Sequence, residues 1–207
     1  FDPSVPDPAE MARVVQESGG DGIVAINSLG PVYPMDRRVN RSYLGSRDGF
    51  GWISGPVIRR LSLSSVRRIR EGCTLPIIGV GGIVSADDVV DFLCAGASAV
   101  QMLSGALIRG KGIFKRILES LPSALEKRGF KSVEEAIGSA KDQKESFTVR
   151  NPVIDHDKCT RCGLCVEVCP YFALSLQEKV EVDSAECFGC GLCESICPVA
   201  AIGGVLV

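Results

Sequence analysis

Two cysteine runs near the carboxyl end of the chain decide how its C-terminal part folds. The first reads CTRCGLCVEVCP over residues 159–170, and the second reads CFGCGLCESICP over residues 187–198. Each cysteine of the second run follows its counterpart in the first by 28 positions, so the two runs form an internal repeat. Both have the spacing C-x-x-C-x-x-C-x-x-x-C-P, and together they hold eight of the ten cysteines of the chain.

This spacing predicts two [4Fe-4S] clusters. Three thiolates two residues apart wrap around one face of a cubane, and the fourth cysteine leaves on a short helix that points away, so it binds the other cluster. We therefore expect two sets of metal ligands: Cys159, Cys162, Cys165 and Cys197 for one cluster, and Cys187, Cys190, Cys193 and Cys169 for the other. Gly163 and Gly191 are expected to let the backbone turn close to the sulfurs.

Structural zinc and disulfide bonds are the alternative uses of these cysteines. Zinc sites usually pair two C-x-x-C knuckles without a third cysteine or a following proline, and disulfides are typical of secreted chains. Iron–sulfur clusters are favoured over both, and residues 155–204 resemble a bacterial two-cluster ferredoxin, a carrier of single electrons. Apolar residues beside the runs are expected to exclude water from the clusters: Val166, Val168, Leu174, Ile196, Val199 and Ile202.

The composition is that of an ordinary globular protein, with 207 residues of which 45% are hydrophobic and 23% charged. A net charge of −2 gives no electrostatic reason to expect nucleic acid as a partner. No apolar run approaches the roughly 20 residues that a membrane span needs, so we expect no membrane. Ten cysteines indicate a reducing cytoplasm. The chain opens on Phe1 rather than on Met and shows no signal peptide, which indicates a fragment.

Before the cysteine runs, short apolar strands alternate with helices, which predicts βα units and a parallel sheet. The predicted elements are a helix over 8–18 capped by Asp7, a strand over 22–27, a polar loop over 28–56, a helix over 57–71, a strand over 75–80, a helix over 86–94 capped by Ser85, a strand over 99–102, a helical turn over 104–109, a helix over 112–128 and a short helix from Ser132 to Ile137. Residues 138–152 are predicted to link a domain over 1–137 to one over 153–207. Both faces of the first strand are expected to be buried, with Met11, Val14 and Val15 of the first helix inward.

Glycines and a serine follow the second and third predicted strands. In a (β/α)8 barrel, a phosphate site lies on the loops after strands 7 and 8, beside a short extra helix. Gly81 and Gly82 would expose backbone N–H groups to an anion, and the helical turn at Ser104 would aim its dipole at the same place. The glycine pair alone is more typical of an ordinary turn, but Ser104 at the right distance favours a phosphate site.

Five segments now make the pattern specific: DGIVAINS (21–28), GWISGPVI (51–58), PIIGVGGI (76–83), AGASAVQ (95–101) and GFKSVEEAIG (129–138). They resemble the C-terminal half of class 1 dihydroorotate dehydrogenase, and the flavin domain of dihydropyrimidine dehydrogenase is nearly as close. The resemblance implies an α/β fold, with about strands 6–8 of an FMN-binding (β/α)8 barrel followed by a small α+β ferredoxin-like domain with two [4Fe-4S] clusters. It further implies that Asn27 and Ser28 bind the substrate. The expected FMN contacts are Ser54, Gly55, Val80, Gly81, Gly82, Leu103 and Ser104.

The chain departs from the family in two ways. Trp52 replaces the second glycine of a motif that usually reads Gly-Gly-Leu-Ser-Gly. It could stack over the site or pack beneath its loop, and packing beneath the loop is favoured. The first half of the barrel is absent. In the family, that half carries a cysteine or serine general base and a lysine that contacts the flavin, which would align just before Phe1. The catalytic residues of this chain are therefore unknown.

The resemblance implies a flavin-dependent pyrimidine oxidoreductase of pyrimidine biosynthesis. A base would remove the C5 proton of dihydroorotate, a hydride would pass from C6 to FMN, and the flavin would release electrons singly to the two clusters. A flavoprotein subunit or soluble carrier would complete the electron path, and an oligomer is possible. One alternative is a dihydropyrimidine dehydrogenase-like subunit that reduces uracil or thymine. Another is an electron-transfer ferredoxin module whose βα part is only a scaffold.

The other candidate residues have simpler interpretations. Cys73 and Cys94 lie outside the runs and are expected to be small core residues. The single histidine, His156, is expected in a solvated turn. Arginines of the long loop could steer a carboxylate substrate, but a solvated loop is favoured; they are Arg37, Arg38, Arg41 and Arg47.

Overall fold

The computed structural model describes residues 1–142 and 149–206, and the chain divides into two compact units, Phe1–Lys144 and Glu145–Val207. The elements of the first unit are α1 (Pro8–Glu17), β1 (Ile23–Ala25), β2 (Leu29–Val32), β3 (Met35–Asp36), β4 (Arg41–Ser42), β5 (Gly51–Ile53), a 3-10 turn (Pro56–Ile58), α2 (Arg59–Gly72), β6 (Ile77–Val80), α3 (Ala86–Cys94), β7 (Ala99–Gln101), α4 (Ser104–Arg109), α5 (Ile113–Lys127) and α6 (Val133–Asp142). The alternation of strands and helices is as predicted.

The sheet of the first unit is parallel, in the order β1-β6-β7. Ile23 of β1 pairs with Ile77 of β6, and Ile78 of β6 pairs with Ala99 of β7. Because parallel strands run in one direction, their carboxyl ends lie at a single edge of the sheet. These three strands and their helices form the partial (β/α)8 barrel that the sequence predicts.

One face of the sheet packs on the helices and the other is open. Ile77 is fully buried and belongs to the same apolar core as Val66 of α2 and Phe92 of α3. Val24 is 48% exposed and pairs with Ile78, which is 36% exposed. The prediction that β1 is buried on both faces is therefore wrong. In a closed barrel this face is covered by side chains from the other strands, and three strands leave it open.

Local capping signals set the helix boundaries as predicted. The Asp7 side chain accepts hydrogen bonds from the backbone N–H groups of Ala9 and Glu10 at the start of α1. Ser85 and Asp88 form a capping box that begins α3. These interactions join residues only two or three positions apart, which explains why the sequence predicts them.

The inward face of α1 differs from the prediction, because Met11 and Val14 are 44% and 46% exposed. Ala12 is the buried residue, and of the three residues predicted to face inward only Val15 packs against the core. At Gly72 of α2, a Cβ atom would clash with the Ala9 carbonyl oxygen, so the two helices approach closely through small residues. The larger side chains of α1 therefore lie outside its contact with α2.

The segment predicted as a polar loop over 28–56 contains two antiparallel strand pairs, β2 with β5 and β3 with β4. Tyr33 and Phe50 meet edge to face with their ring centroids 5.2 Å apart. Ser42 Oγ donates to the Gly49 carbonyl at 2.7 Å and its backbone N–H donates to the Tyr33 hydroxyl at 3.1 Å. These contacts between distant residues make an ordered β-ribbon that local polarity does not predict.

The last helix of the first unit is longer than predicted. We expected it to end at Ile137, but α6 continues to Asp142, so the linker predicted over 138–152 begins later. Ala136 and Ala140 are both buried one turn apart, so the apolar face of the helix continues past Gly138. Residues 143–148 of the predicted linker lie outside the described residues, and 149–152 have no regular structure.

The second unit is a small α+β fold. Its elements are β8 (Val153–Ile154), α7 (Leu164–Glu167), β9 (Leu174–Leu176), β10 (Val180–Val182), α8 (Leu192–Ile196) and β11 (Ile202–Gly203). β9 pairs with β10 and β8 with β11, both antiparallel. Leu174 and Ile202 are buried in the core and Val166 packs against it, as predicted. Ile196 and Val199 are 41% and 40% exposed, but Val199 lines the same cavity as Ile202 and Cys159.

None of the helices in the described parts of the chain is both long enough and apolar enough to span a membrane.

Candidate functional site

A cavity lies at the carboxyl ends of β1, β6 and β7. Its lining includes all nine residues predicted to bind substrate or FMN: Asn27, Ser28, Ser54, Gly55, Val80, Gly81, Gly82, Leu103 and Ser104. Asn27, Gly81 and Ser104 converge on it from three separate loops because they follow three parallel strands. The remaining lining residues are Ile26, Trp52, Ile58, Ile83, Gln101, Met102 and Gly105.

The loops at this cavity approach one another closely. Ser54 Oγ and Ser104 Oγ are 2.9 Å apart, so the loop after β5 is hydrogen-bonded to the start of α4. Gly82 has a φ of +76°, and a Cβ atom there would lie 2.8 Å from the Gly55 carbonyl oxygen. A side chain at position 82 would therefore strain the backbone and force the loops apart. Backbone N–H groups and two hydroxyls can meet a phosphate here, which fits the polar end of FMN.

Buried polar groups support the glycine loop from behind. Ser62 Oγ donates to the Val80 carbonyl. Asp88 is 3% exposed and forms an ion pair with Arg59, whose Cβ lies next to Gly82. Asp88 also accepts hydrogen bonds from the backbone N–H groups of Val84 and Ser85 at 2.9 and 3.0 Å.

The sequence interpretation missed Arg59 and Asp88 as supporting residues. The Ser85-x-x-Asp88 capping box was a signal for Asp88, but nothing local links it to an arginine 29 residues earlier. The pair joins the start of α2 to the start of α3, and both helices begin beside the cavity. We infer that the pair holds the glycine loop in place.

Asn27 contributes a polar side chain to the cavity. Its backbone N–H donates to the Phe1 carbonyl at 2.9 Å, and its side-chain oxygen accepts from the Ser28 N–H at 2.8 Å. The side-chain NH₂ group remains as a donor to a ligand carbonyl.

Of the predictions for the cavity mouth, the one for Trp52 is wrong and the one for the loop arginines agrees with the structure. Trp52 is 57% exposed and lines the cavity, with its ring against Gly30, so the prediction that it packs beneath the loop is wrong. No arginine belongs to the described lining, in keeping with solvated positions for the loop arginines. Arg38 instead forms an ion pair with Asp36 at 2.9 Å, and its side-chain hydrogen bond lowers the pKa of Asp36.

The described lining of the cavity contains serine, asparagine and glutamine but no Asp, Glu, His, Lys or Cys. Proton abstraction from carbon needs a group that titrates within reach of the substrate. The cavity can therefore bind and orient a ligand, and the base remains unassigned in this chain.

Two further cavities, both in the second unit, each bring four cysteines together. One is lined by Cys159, Cys162, Cys165 and Cys197, and the other by Cys169, Cys187, Cys190 and Cys193. These are the two sets that the spacing predicts, with the fourth cysteine of each run placed beside the other run. The fold therefore brings together the sulfurs needed for two cubanes.

The local backbone explains how each loop surrounds its cavity. Gly163 and Gly191 have φ values of +80° and +74° and precede the short helices α7 and α8, as expected for a turn close to the sulfurs. Burial raises the pKa of the Cys165 and Cys193 thiols. These thiols must lose their protons when iron binds.

A single metal ion and a [4Fe-4S] cluster require different arrangements of their ligands. Within 1–142 and 149–206, no three His, Cys, Asp or Glu side chains are close enough to hold one metal ion. A [4Fe-4S] cubane is held by one cysteine on each of its four irons, so its ligands stand further apart than those of tetrahedral zinc.

The cysteines outside the runs lie where the sequence predicts. Cys73 is 6% exposed and Cys94 packs against the same apolar core of the first unit. Neither lines a four-cysteine cavity. His156 is exposed, as expected for a solvated turn residue.

Comparison with known protein families agrees with both units. The family model described as Dihydroorotate dehydrogenase matches residues 2–125, and the model described as 4Fe-4S dicluster domain matches residues 158–201. FMN and two [4Fe-4S] clusters are the cofactors that fit these two families, and the residues described above supply a suitable cavity for each.

Individual relatives and a solved structure give the same result. The chain is 37% identical over 140 residues to the catalytic subunit of dihydroorotate dehydrogenase B (NAD(+)) from Methanothermobacter thermautotrophicus, a match that covers 68% of this chain and 46% of the relative. The corresponding subunit from Methanocaldococcus jannaschii is 38% identical over 138 residues, covering 67% and 44%. A crystal structure of Eimeria tenella DHODH in complex with ferulenol is 26% identical, with a TM-score of 0.56, and the match covers 70% of this chain and 38% of that one.

The chain thus spans about half the length of the curated relatives that it matches. Its three parallel strands agree with that share, since a whole barrel has eight. On the match over residues 2–125 and the cavity that those residues form, the chain belongs to the dihydroorotate dehydrogenase family.

Proposed function

We propose that this chain provides the FMN phosphate site and the electron outlet of a dehydrogenase that oxidises dihydroorotate to orotate in pyrimidine biosynthesis. One observation carries the proposal: a single chain holds a flavin-type cavity and two cavities of four cysteines each. An oxidation that removes two electrons needs a group that can release them singly to one-electron carriers. FMN, when bound, supplies that conversion.

Different residues of the chain would bind the FMN phosphate and the pyrimidine ring. The N–H groups of Gly81 and Gly82 and the hydroxyls of Ser54 and Ser104 would bind the FMN phosphate. Asn27 would donate its NH₂ hydrogen bond to a carbonyl of the pyrimidine ring, and Ser28 would contact the same ring. This orients the substrate, whereas the group that takes the C5 proton would come from barrel strands beyond these three.

The electron path requires a partner. The names of the relatives describe a catalytic subunit that works with NAD(+). We infer that the clusters of this chain exchange electrons with a separate flavoprotein subunit or soluble carrier. Its ten cysteines form no disulfide with one another, which favours a reducing cytoplasm as its compartment.

A second candidate is an electron carrier whose βα unit no longer catalyses. The absence of an acid or base from the described lining favours it. Against it, Asn27 and the glycine loops keep a cavity that a scaffold would not need.

The test uses a completed barrel, in which the N-terminal half of the Methanothermobacter thermautotrophicus relative precedes Phe1. The protein is loaded with FMN and iron and mixed anaerobically with dihydroorotate. Reduction of the clusters, followed by electron paramagnetic resonance (EPR), is the expected result, and Asn27→Ala should weaken it. Reduction by dihydrouracil but not by dihydroorotate would favour a dihydropyrimidine dehydrogenase-like activity. Clusters that dithionite reduces but neither pyrimidine does would favour the carrier.

A further inference from the structure

The internal repeat allows the surroundings of the two clusters to be compared position by position. We name the cluster held by Cys159, Cys162, Cys165 and Cys197 cluster A, and the one held by Cys187, Cys190, Cys193 and Cys169 cluster B. The buried ligands Cys165 and Cys193 are 7% and 8% exposed, and Cys162 and Cys190 are both exposed. Solvent access to the ligands is thus nearly the same, and any difference in reduction potential must come from charge and hydrogen bonding.

The two loops carry different charges at equivalent positions. Residues 155–165 contain two aspartates, Lys158 and Arg161, whereas residues 183–193 contain Asp183 and Glu186 and no Lys or Arg. Lys158 corresponds to Glu186, and Arg161 corresponds to Gly189 in the repeat. The loop of cluster A is therefore neutral and the loop of cluster B carries two negative charges.

Arg161 contributes most to this difference. Lys158 forms an ion pair with Asp155 at 3.0 Å, which offsets its charge. In the sequence, Arg161 stands between the ligands Cys159 and Cys162, and it donates to the Glu178 backbone carbonyl at 3.4 Å rather than to a carboxylate. An uncompensated cation stabilises the cluster after it gains an electron, and a nearby anion does the opposite.

Hydrogen bonding to sulfur also favours a higher reduction potential for cluster A than for cluster B. The Ala201 N–H donates to Cys197 Sγ, a ligand of cluster A, at 3.2 Å. None of the described residues donates a hydrogen bond to the sulfur of Cys169, the equivalent ligand of cluster B. N–H groups that stabilise charge on sulfur also stabilise the reduced cluster.

We propose that the two clusters differ in reduction potential. Cluster A has the higher potential and holds the first electron, and cluster B is the stronger reductant. Arg161 and Glu186 are the residues that set the difference. The proposal rests on the ligand sets of the proposed function, but it needs neither flavin nor pyrimidine. Its failure would therefore be distinguishable from failure of the dehydrogenase proposal.

The experiment is an anaerobic potentiometric titration of the iron-loaded 207-residue chain, followed by EPR. Two one-electron steps should be resolved. Reduction of cluster A should be favoured at least tenfold over reduction of cluster B, which is a difference in potential of about 59 mV for a one-electron couple. Arg161→Gln should lower the upper step and leave the lower one in place. Glu186→Gln should raise the lower step and leave the upper one in place. Arg161→Lys and Glu186→Asp conserve charge and should leave both steps unchanged.

Iron content and the EPR intensity of each variant show that both clusters are intact, and the two substitutions test the proposal independently of one another. A single unresolved step in the native chain would overturn the proposal. So would a shift of the lower step by Arg161→Gln, which would place the higher potential on cluster B. Steps that respond equally to the charge-conserving and the neutral variants would show that charge does not set the order.

Discussion

Ser54 Oγ and Ser104 Oγ lie 2.9 Å apart although 50 residues separate them in the chain. One follows β5 of the ribbon, and the other begins α4 after the last strand of the sheet. Their contact closes the end of the cavity where we propose that the FMN phosphate binds, and Gly55 and Gly82 also meet there. Three loops that are distant in sequence thus come together at this end of the cavity.

This proposed phosphate site predicts a specific loss when one hydroxyl is removed. In the completed barrel, Ser104→Ala should weaken FMN binding about tenfold or more, because a hydrogen bond to a charged group contributes about 1.5–3 kcal/mol. Flavin fluorescence during titration measures the change. Ser120→Ala is the matched control, since Ser120 lies on α5 and its hydroxyl donates to the Arg116 carbonyl of the same helix. Equal affinities for the two variants would contradict the phosphate assignment.

The open face of the sheet predicts weak flavin binding by the 207-residue chain alone. Val24 and Ile78 are 48% and 36% exposed there, and no described strand covers the far side of the cavity. We expect FMN to bind weakly or not at all, without oxidation of dihydroorotate, whereas the completed barrel should do both. Titrating FMN into each protein decides the matter. Tight binding and turnover by the 207-residue chain would refute the prediction.

The exchange of the fourth cysteine between runs predicts which cluster each substitution removes. Cys169→Ala should abolish the cluster of Cys187, Cys190 and Cys193 and spare the other, because Cys169 lines that cavity. Iron content should fall from about eight atoms to about four. Cys94→Ala, outside both cavities, should keep the full iron content. A Cys169 variant whose EPR spectrum lacks the Cys159 cluster instead would reverse the assignment.

The ion pair behind the glycine loop predicts that two substitutions in α3 lower the free energy of unfolding by different amounts. Asp88→Asn should destabilise the first unit by about 2 kcal/mol, below the usual cost of breaking a buried pair because Arg59 is partly exposed. Asp91→Asn, which removes a pair with the exposed Arg128, should cost about 0.5 kcal/mol. Urea unfolding followed by circular dichroism measures both. Similar costs would show that the Arg59 pair contributes no more than a surface ion pair.

Several features of the protein follow from sequence alone because they depend on short-range geometry. Cysteine spacing predicts the two groups of four, since residues two or three positions apart reach only one side of a loop. Capping residues such as Asp7 and Ser85 predict where helices begin, because their side chains bond to N–H groups within the next turn. The cavity residues are predicted by resemblance and by the rule that parallel strands end at one edge.

Tertiary structure alone decides the contacts between distant segments. The Arg59–Asp88 pair and the Ser54–Ser104 contact join residues that no local pattern links. The ribbon within residues 28–56 forms because Tyr33, Ser42, Gly49 and Phe50 meet across a turn, although each segment is too short and polar to predict a strand. Exposure of Val24 likewise depends on how many strands surround it, because an apolar side chain becomes buried only where the fold supplies neighbours to cover it.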